Sequence, residues 1–285
     1  HRVWHSLSAQ PGMGLFAGSR PHWRSGWPVV EGVITMGKFT FRTLEFDLAE
    51  FEYFVKPEDW EKHFEYWKAE MYKFAVSLGL DESKLRWRSH TKEELSHYSS
   101  RTEDLEYEFP WGHKEMFGLA YRTDFDLKNH IEKSGVDLRY TDPYTNEKFI
   151  PHVIEPTFGL SRLVTIILMN AYMEDLEKQR VVLKLPSVLS PYKVAVFPLV
   201  ANKDNISAKA QEVFDSLKTK FPTALDGRGN IGKRYFTHDE IGTNFCVTID
   251  YQTLEDNTVT VRDRDTATQE RISVNELSDF LTKNL

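Results

Sequence analysis

FTFRTLEFDLAEFEYFV, residues 39–55, alternates apolar or aromatic side chains with polar ones along most of its length. A period of two residues predicts an extended β-strand, because successive side chains of a strand point to opposite faces of a sheet. Two carboxylates then share one face with large apolar groups. That face carries Phe46, Leu48, Glu50, Glu52 and Phe54.

The segments that follow predict a largely antiparallel sheet with helices against it. Pro57 opens a helix whose apolar side chains recur at a spacing of 3.6 residues until Gly79. Residues 103–109 (EDLEYEF) and 116–122 alternate again and form an expected antiparallel pair. Residues 139–154 are expected to form two strands around a turn. The first part of the chain is therefore expected to be an α+β antiparallel sheet domain.

Two further helices are expected beside this sheet. Thr91 and Glu94, three residues apart, form a capping box that predicts a short helix. Residues 161–172 (SRLVTIILMNAY) are apolar nearly all round after Arg162, which predicts a helix buried against the sheet.

The hydrophobic pattern of the sequence changes near residues 186–191, after which strands and helices alternate as in an α/β domain. The chain therefore divides into an unpatterned segment of residues 1–37, a first domain of residues 38–185 and a second domain of residues 190–285. The expected strands of the second domain are 193–200, 245–251 and 258–262, and its expected helices are 206–221 and 274–281.

Composition excludes several classes of protein. The chain has 285 residues, 43 acidic against 36 basic side chains and a net charge of -7. A hydrophobic fraction of 40% supports a packed core and excludes disorder as the main state. No apolar run approaches the roughly 18 residues that a membrane span needs. The single cysteine, Cys246, excludes an internal disulfide and points to a reducing compartment, and the acidic balance argues against nucleic-acid binding by bulk charge alone.

Two features of the first domain suit a charged ligand. Phe46 and Glu50 are four residues apart, about 13 Å along a strand, so that they can grip the two ends of an aminoacyl-nucleotide. The alternative is that Phe46 is a core residue and Glu50 an edge-strand acid. Arg162 lies in the first turn of its helix, where it opposes the helix dipole unless an anion such as phosphate bridges them. The alternative is an ion pair between Arg162 and a neighbouring carboxylate such as Glu155.

Four ordered strings closely resemble glycyl-tRNA synthetases of the dimeric, class II type. They are residues 39–52 (FTFRTLEFDLAEFE), 122–127 (RTDFDL), 151–162 (PHVIEPTFGLSR) and 256–270 (DNTVTVRDRDTATQE). The resemblance runs from about Ile34 to the end of the chain.

This resemblance implies a class II catalytic sheet, incomplete at its N-terminal side, with part of motif 2 and with motif 3 in residues 38–185. An anticodon-binding α/β domain is implied for residues 190–285. The implied function is that of a glycine-tRNA ligase, which activates glycine with ATP and Mg²⁺ and transfers it to tRNA-Gly, in the cytoplasm or in an organelle and without a membrane. Family members are homodimers, but residues 1–37 have no counterpart of motif 1, which supplies dimer contacts.

The resemblance also implies roles for individual residues of the first domain. Arg42 would meet the phosphates of ATP, and Phe46 would stack on adenine. Glu50 and Glu155 match the carboxylates that hold the glycine ammonium group. Thr157 supplies a hydroxyl where the family usually has serine.

Arg162 matches the motif 3 arginine that contacts the γ-phosphate, and Arg42 and Arg162 are the expected catalytic residues. Glu115 resembles an acid near ATP and its magnesium, and it is the expected metal ligand. Adenylate formation is an attack of the glycine carboxylate on the α-phosphate. Catalysis would therefore depend on positioning and on neutralising charge.

One stretch departs from the family. Val30, Glu31, Gly32 and Val33 stand where the family has Phe-Arg-Asn-Glu, whose arginine grips the substrate carboxylate and the α-phosphate. An anion in place of that cation predicts impaired catalysis by this chain, as a truncated form. The alternative function is that of a non-catalytic, synthetase-like accessory protein that binds tRNA or another nucleic acid.

In the second domain, Lys233, Arg234, Arg262 and Arg264 are the expected tRNA-binding residues, since basic groups on such a domain suit single-stranded RNA loops. Residues 227–242 (GRGNIGKRYFTHDEIG) are expected to supply glycine hinges around the first two of them. The alternative for Arg262 and Arg264, which alternate with aspartates, is a solvated ladder of salt bridges.

Overall fold

The computed structural model describes residues 13–18, by their backbone, residue 41 and residues 46–285. The chain forms two compact units that divide between Ile166 and Ile167. This division falls inside a helix and lies before residues 186–191, where the sequence pattern changes.

The first unit is built on an antiparallel sheet. Its elements are β1 (Met13–Gly18), β2 (Leu48–Val55), α1 (Trp60–Ser77), β3 (Leu85–Ser89), β4 (Arg101–Phe109), β5 (Gly112–Thr123), α2 (Phe125–Ser134), β6 (Tyr140–Thr141), β7 (Lys148–Phe149), β8 (His152–Gly159) and the start of α3 (Leu160–Ala171). Six strands pair in the order β1-β2-β8-β5-β4-β3, and every neighbouring pair is antiparallel. The expected α+β antiparallel sheet is confirmed.

One face of the sheet is apolar and is covered by α1. The inward side of α1 carries Phe64 and Met71, whose exposed fractions are 0% and 1%. The ring of Trp67 lies 5.8 Å from that of Phe51 on β2. The helix ends before Gly79, whose φ of 78° lies in the left-handed region that glycine adopts most easily. The predicted apolar stripe of this helix is therefore core.

The opposite face of the sheet is polar. A row of directly opposed residues crosses five strands, and residues that oppose each other in register share a face. The row consists of Arg88 on β3, Asp104 on β4, Gly118 on β5, Thr157 on β8 and Glu50 on β2. Several of the residues proposed from sequence therefore lie on one side of one sheet.

The long strand expected over residues 39–55 begins later within the described part of the chain. Phe46 and Asp47 precede β2, which starts at Leu48. The backbone N–H of Asp47 donates to Ser161 Oγ at 2.8 Å, and its carbonyl accepts from the N–H of Leu160 at 3.0 Å. The chain before β2 is therefore bound to the start of α3 instead of to a neighbouring strand.

The short helix expected at Thr91 is wrong, because this segment forms turns. One bond of the capping box is present, from the N–H of Thr91 to Glu94 Oε2 at 3.0 Å. The same carboxylate accepts from Arg88 on β3 at 3.1 Å. Glu94 is thus held against the sheet edge, and the bond closes a turn between β3 and β4.

The helix α3 is buried on one side only. Leu163 and Ile166 have exposed fractions of 6% and 0%, whereas Val164 is 56% exposed. The expected helix is therefore present, and its outer apolar side is exposed. None of the helices in the described residues is long and apolar enough to cross a membrane.

The second unit contains a hairpin and a mixed sheet. Its elements after α3 are β9 (Tyr172–Asp175), β10 (Arg180–Leu183), β11 (Val194–Pro198), α4 (Asp204–Leu217), β12 (Thr223–Leu225), α5 (Ile231–Glu240), β13 (Phe245–Ile249), α6 (Tyr251–Asp256), β14 (Thr258–Asp263), β15 (Gln269–Ser273) and α7 (Val274–Asn284). The sheet has the order β12-β11-β13-β14-β15, in which β12, β11 and β13 are parallel and β14 and β15 are antiparallel.

Helices cover both faces of the second sheet. Val194 and Val196 on β11 pack in one core with α4 and α7. Ala195 and Phe197, which point the other way, pack with Ile231 of α5. Strands buried on both faces read as continuous apolar runs, which is why residues 193–200 were recognisable as a core strand.

The glycine hinges expected over residues 227–242 are instead the surroundings of α5. The side chain of Asn230 accepts from the N–H of Lys233 at 2.8 Å and caps the start of the helix. Gly242, with a φ of 80°, follows its end. Gly227 and Gly229 precede the helix and Gly232 lies inside its first turn, so three of the four glycines flank the helix and one belongs to it.

Candidate functional site

The polar face of the first sheet brings together the three residues proposed to hold glycine. Glu50 on β2 is directly opposite Thr157 on β8, and Glu155 lies two residues before Thr157 on the same face. Glu50 is exposed, whereas the side chain of Glu155 is 12% exposed. A carboxylate at the surface and a mostly buried one therefore border the same part of the sheet.

Glu52 belongs to the same face, because it follows Glu50 by two residues on β2 and lies beside Glu155 on β8. Sequence patterning had placed Glu52 on the face of Glu50 but had given it no role. The signal available in the sequence is the spacing of two residues between Glu50 and Glu52. Its place beside Glu155 depends on the pairing of β2 with β8, which no local pattern contains.

Arg122 on β5 binds Glu155, the mostly buried carboxylate among these residues. Its Nη1 lies 2.5 Å from Glu155 Oε2, and its Nε lies 2.7 Å from Asp126 Oδ2. The guanidinium group also lies 4.0 Å from the centre of the Tyr98 ring. Asp126 is in the first turn of α2, so this helix orients Arg122 toward β8. Arg122 opens the family-like string 122–127, but its role follows only from these contacts.

Burial and repulsion alter the proton affinity of the two acids. Burial raises the pKa of Glu155 to about 7, with further increases from Glu52 and Glu50, although Arg122 opposes the shift. Burial also raises the pKa of Glu52 above its ordinary value. The pKa of Glu155 therefore lies near neutral pH, which is unusual for a carboxyl group.

Gly118 leaves a gap in the polar row. A Cβ atom added there would lie 3.8 Å from Glu115 Oε1, 3.9 Å from Thr157 Cβ and 4.0 Å from Asp104 Oδ1. These are ordinary contact distances, so the gap has space for at least one heavy atom. Asp104 is held beside it by His90, whose Nε2 lies 2.7 Å from Asp104 Oδ2. The gap is thus bordered by two carboxylates.

Arg162 lies in the first turn of α3, as expected, but its partner is Glu115 instead of Glu155. Its Nη1 lies 3.4 Å from Glu115 Oε2 and donates to the Glu115 carbonyl oxygen. Its guanidinium carbon lies 4.3 Å from the centre of the Phe41 ring. The ion pair with Glu155 that the sequence left open does not form, because Arg122 occupies that carboxylate.

The remaining proposed residues of this site differ in exposure. Phe46 is 54% exposed just before β2, so its ring is accessible. Arg42 lies outside the described residues. Within the described part of the chain, no three His, Cys, Asp or Glu side chains are grouped so that they could hold a metal ion. Asp104 and Glu115 are two carboxylates near one gap, which suits Mg²⁺ that also binds substrate phosphates.

In the second unit, two of the arginines proposed to bind tRNA are buried in ion pairs or backbone contacts. Arg262 donates to both oxygens of Asp239, at 2.7 and 2.9 Å, and Arg180 Nη1 lies 2.9 Å from Asp239 Oδ2. Asp239 is 0% exposed. Arg264 donates to the carbonyl oxygen of Gly242 at 2.9 Å. The solvated ladder that the sequence left open is wrong, because Arg262 and Arg264 are buried inside the unit.

Arg234 is also structural. Its guanidinium group donates to the carbonyl oxygens of Pro198, Arg228 and Gly229, at 2.5, 3.0 and 2.8 Å, and the residue is 2% exposed. Lys233, one residue earlier, is exposed. Of the four residues proposed to bind tRNA, Lys233 alone presents its charge to solvent. The helical turn of α5 directs adjacent side chains about 100° apart, which separates these two neighbours.

Comparison with known proteins agrees with this architecture. Residues 193–284 match the model of the anticodon binding domain family. The chain is 49% identical over 255 residues to the glycine-tRNA ligase of Alkaliphilus metalliredigens, an alignment that covers 88% of this chain and 54% of that protein. Identity is 46% to the glycine-tRNA ligase of Clostridium acetobutylicum and 47% to that of Geobacillus thermodenitrificans, with the same coverage.

The chain therefore spans about half the length of the curated relatives that it matches. The match includes the polar face of the first sheet as well as the second unit, since it covers 88% of the chain. By this similarity the chain corresponds to a portion of a glycyl-tRNA synthetase, and that portion includes the anticodon-binding domain.

Proposed function

We propose that the chain is part of an enzyme that activates glycine with ATP on the polar sheet face and transfers it to tRNA-Gly. The observation that supports this most directly is that Glu50, Glu155 and Thr157 share one face of β2 and β8. Two carboxylates and a hydroxyl are a fitting set of acceptors for an ammonium group, which has three donors. The ammonium group of glycine is the expected occupant.

ATP would bind beside this group. The exposed ring of Phe46 is free to stack on adenine, and Arg162 would exchange its contact with Glu115 for the γ-phosphate. Glu115 and Asp104 would hold Mg²⁺ together with phosphate oxygens, and the bound ion would neutralise phosphate charge. Arg42 is the further arginine proposed for the phosphates.

The reaction would need no nucleophile from the protein. The glycine carboxylate attacks the α-phosphate, pyrophosphate leaves, and the mixed anhydride glycyl-adenylate forms. The protein holds the two reactants in line and offsets their negative charge, which is the main requirement of phosphoryl and nucleotidyl transfer. A larger amino acid would be excluded where its side chain meets the residues that border the Gly118 gap.

The second unit would contact the anticodon of tRNA-Gly, with Lys233 as the exposed basic residue among those proposed. Dimerisation in the manner of the family and a cytoplasmic or organellar location stay predictions. So does the reduced activity expected from Glu31, which lies outside the described residues.

Calorimetry with a non-hydrolysable glycyl-adenylate analogue tests the proposal. We expect the chain to bind the analogue, and we expect Glu50→Gln to weaken binding at least about tenfold, because a neutral amide replaces one carboxylate of the ammonium site. Glu61→Gln is the matched control, since Glu61 is an exposed acid on α1, on the other side of the sheet. Absence of binding by the unaltered chain, or equal weakening by both variants, would contradict the proposal. Glycine-dependent exchange of pyrophosphate into ATP then measures how active this chain is.

A further inference from the structure

Two carboxylates border the Gly118 gap in the same manner. Asp104 Oδ1 would lie 4.0 Å, and Glu115 Oε1 3.8 Å, from a Cβ atom added at Gly118. The second oxygen of each group contacts a nitrogen of another side chain. Asp104 Oδ2 lies 2.7 Å from His90 Nε2, and Glu115 Oε2 lies 3.4 Å from Arg162 Nη1. Each carboxylate therefore presents one oxygen to the gap while its other oxygen is held by a neighbour.

His90 is the residue that holds the more buried of the two carboxylates. Asp104 is only 7% exposed, and among the described residues the bond from His90 is the one hydrogen bond that its side chain makes. A carboxylate only accepts, so Nε2 is the donor. The backbone of His90 is itself fixed, because its N–H donates to the carbonyl oxygen of Thr102 on β4 at 3.0 Å. This bond continues the pairing of β3 with β4 one residue beyond the end of β3.

Arg88 competes with the gap for Asp104. Its Nη2 lies 3.6 Å from Asp104 Oδ2, which is too long for a hydrogen bond, while its other nitrogens bind Glu94 and Glu106 at 3.1 and 3.2 Å. A guanidinium group favours a carboxylate that offers both oxygens side by side. Without the bond from His90, Asp104 can turn both of its oxygens toward Arg88. His90 therefore keeps Oδ1 available to the gap.

The donor set of the gap fits Mg²⁺, which binds proteins through one or two carboxylates and completes its shell with water and substrate phosphates. We propose that His90 is a positioning residue, which keeps Asp104 Oδ1 directed at the Gly118 gap for the Mg²⁺ that accompanies ATP. This inference rests on the proposed function, since ATP would bring the ion. His90 acts through Asp104, as the hydrogen-bonded partners of ligating carboxylates do in metal sites.

Gln and Asn at position 90 test the donor without removing polarity. The amide nitrogen of Gln reaches about as far as imidazole Nε2, whereas that of Asn ends near the place of Nδ1 and falls short of Asp104. Electron paramagnetic resonance of free Mn²⁺ measures the dissociation constant of this ion in the presence of a non-hydrolysable ATP analogue. We expect His90→Asn to raise that constant at least about tenfold and His90→Gln to restore most of the affinity. His130→Gln, at an exposed position on α2, is the control and should leave it unchanged.

Equal affinity for Mn²⁺ in His90→Asn and in the unaltered chain overturns the inference and leaves the proposed function standing. Equal weakening by His90→Asn and His90→Gln also overturns it, because the imidazole ring would then matter for its packing and not for its donor. Absence of Mn²⁺ binding by the unaltered chain overturns it as well. Calorimetry with the glycyl-adenylate analogue in metal-free buffer then decides separately whether the proposed function stands.

Nitrogen-15 NMR of the unaltered chain tests the hydrogen bond without any variant, so a folding defect in a variant does not prevent a decision. In mildly alkaline solution, the imidazole of His90 should carry its proton on Nε2, the nitrogen that faces Asp104. A proton on Nδ1 alone would overturn the inference, because Nε2 would then have nothing to donate.

Discussion

Replacing Asp239 is the sharpest test of how the second unit is held together. Its carboxylate accepts three hydrogen bonds from Arg180 and Arg262, and the exposed fractions of the three side chains are 1%, 1% and 6%. Asp239→Ala leaves the buried guanidinium group of Arg262 without its counterion and leaves Arg180 with Asp175 alone. Removing one partner of a buried ion pair typically costs about 3–5 kcal/mol. We expect a loss of about 4 kcal/mol in the free energy of unfolding of this unit.

Hydrogen exchange followed by mass spectrometry measures this loss within the full chain. A loss of that size corresponds to about a thousandfold faster exchange of the amides in β13 and β14. Asp239→Asn keeps the size and one acceptor oxygen, so its loss should be smaller than that of Asp239→Ala. Asp279→Ala, at an exposed position on α7, is the control and should change stability by less than about 0.5 kcal/mol. A loss below about 1 kcal/mol in Asp239→Ala would refute the reasoning.

Three further predictions concern the site, the RNA surface and acid stability. Gly118→Ala should leave the melting temperature nearly unchanged, because the added Cβ makes ordinary contacts. It should weaken binding of the glycyl-adenylate analogue, measured by calorimetry, at least about tenfold. Unchanged affinity would contradict the proposal that the substrate lies against the Gly118 gap. Lys233→Ala should weaken tRNA binding and reduce its salt dependence without loss of stability. Arg234→Ala should instead destabilise the unit by about 2–3 kcal/mol in urea unfolding, because buried carbonyl groups lose their donor. Equal effects of the two variants would contradict the assignment of Lys233 to RNA binding and of Arg234 to the fold. The hydrogen bonds and charge of Arg271 lower the pKa of Asp250 to about 2, so this pair stabilises the fold above pH 4 and loses its contribution as pH falls toward 2. Asp250→Asn should therefore destabilise the chain at pH 6 and much less at pH 2.5. A difference in urea unfolding that does not change with pH would contradict this prediction.

Local patterns in the sequence were sufficient for most strands and helices. The helix after Pro57 and the pair of strands over residues 103–109 and 116–122 were predicted from periodicity, and both are present. These predictions succeeded because one face of each element is buried, which imposes a period of 3.6 or 2 residues. The capping bond from Thr91 to Glu94 forms, but Arg88 on β3 also binds that carboxylate, and the segment closes a turn instead of starting a helix.

The residues proposed for the site were found in the sequence through their resemblance to a family, and the fold brings Glu50, Glu155 and Thr157 onto one sheet face. Their interactions were not accessible in that way. The bond of Glu155 to Arg122 joins positions 33 residues apart, and its place beside Glu52 depends on the pairing of β2 with β8. Such contacts depend on strand register, which is set by the whole sheet.

The basic residues of the second unit also show that sequence alone does not reveal which charged groups are buried. Composition identifies Arg234, Arg262 and Arg264 as charged, and charge alone favours an exposed position and an RNA partner. Their burial follows from carbonyl groups and carboxylates contributed by other elements, such as Asp239 from α5. Periodicity and residue type are properties of neighbours along the chain, so sequence was enough for elements and for candidate chemistry. Distances between segments that are remote in sequence decide which charged groups contact a ligand and which contact each other. Those distances are fixed only once the sheets have formed.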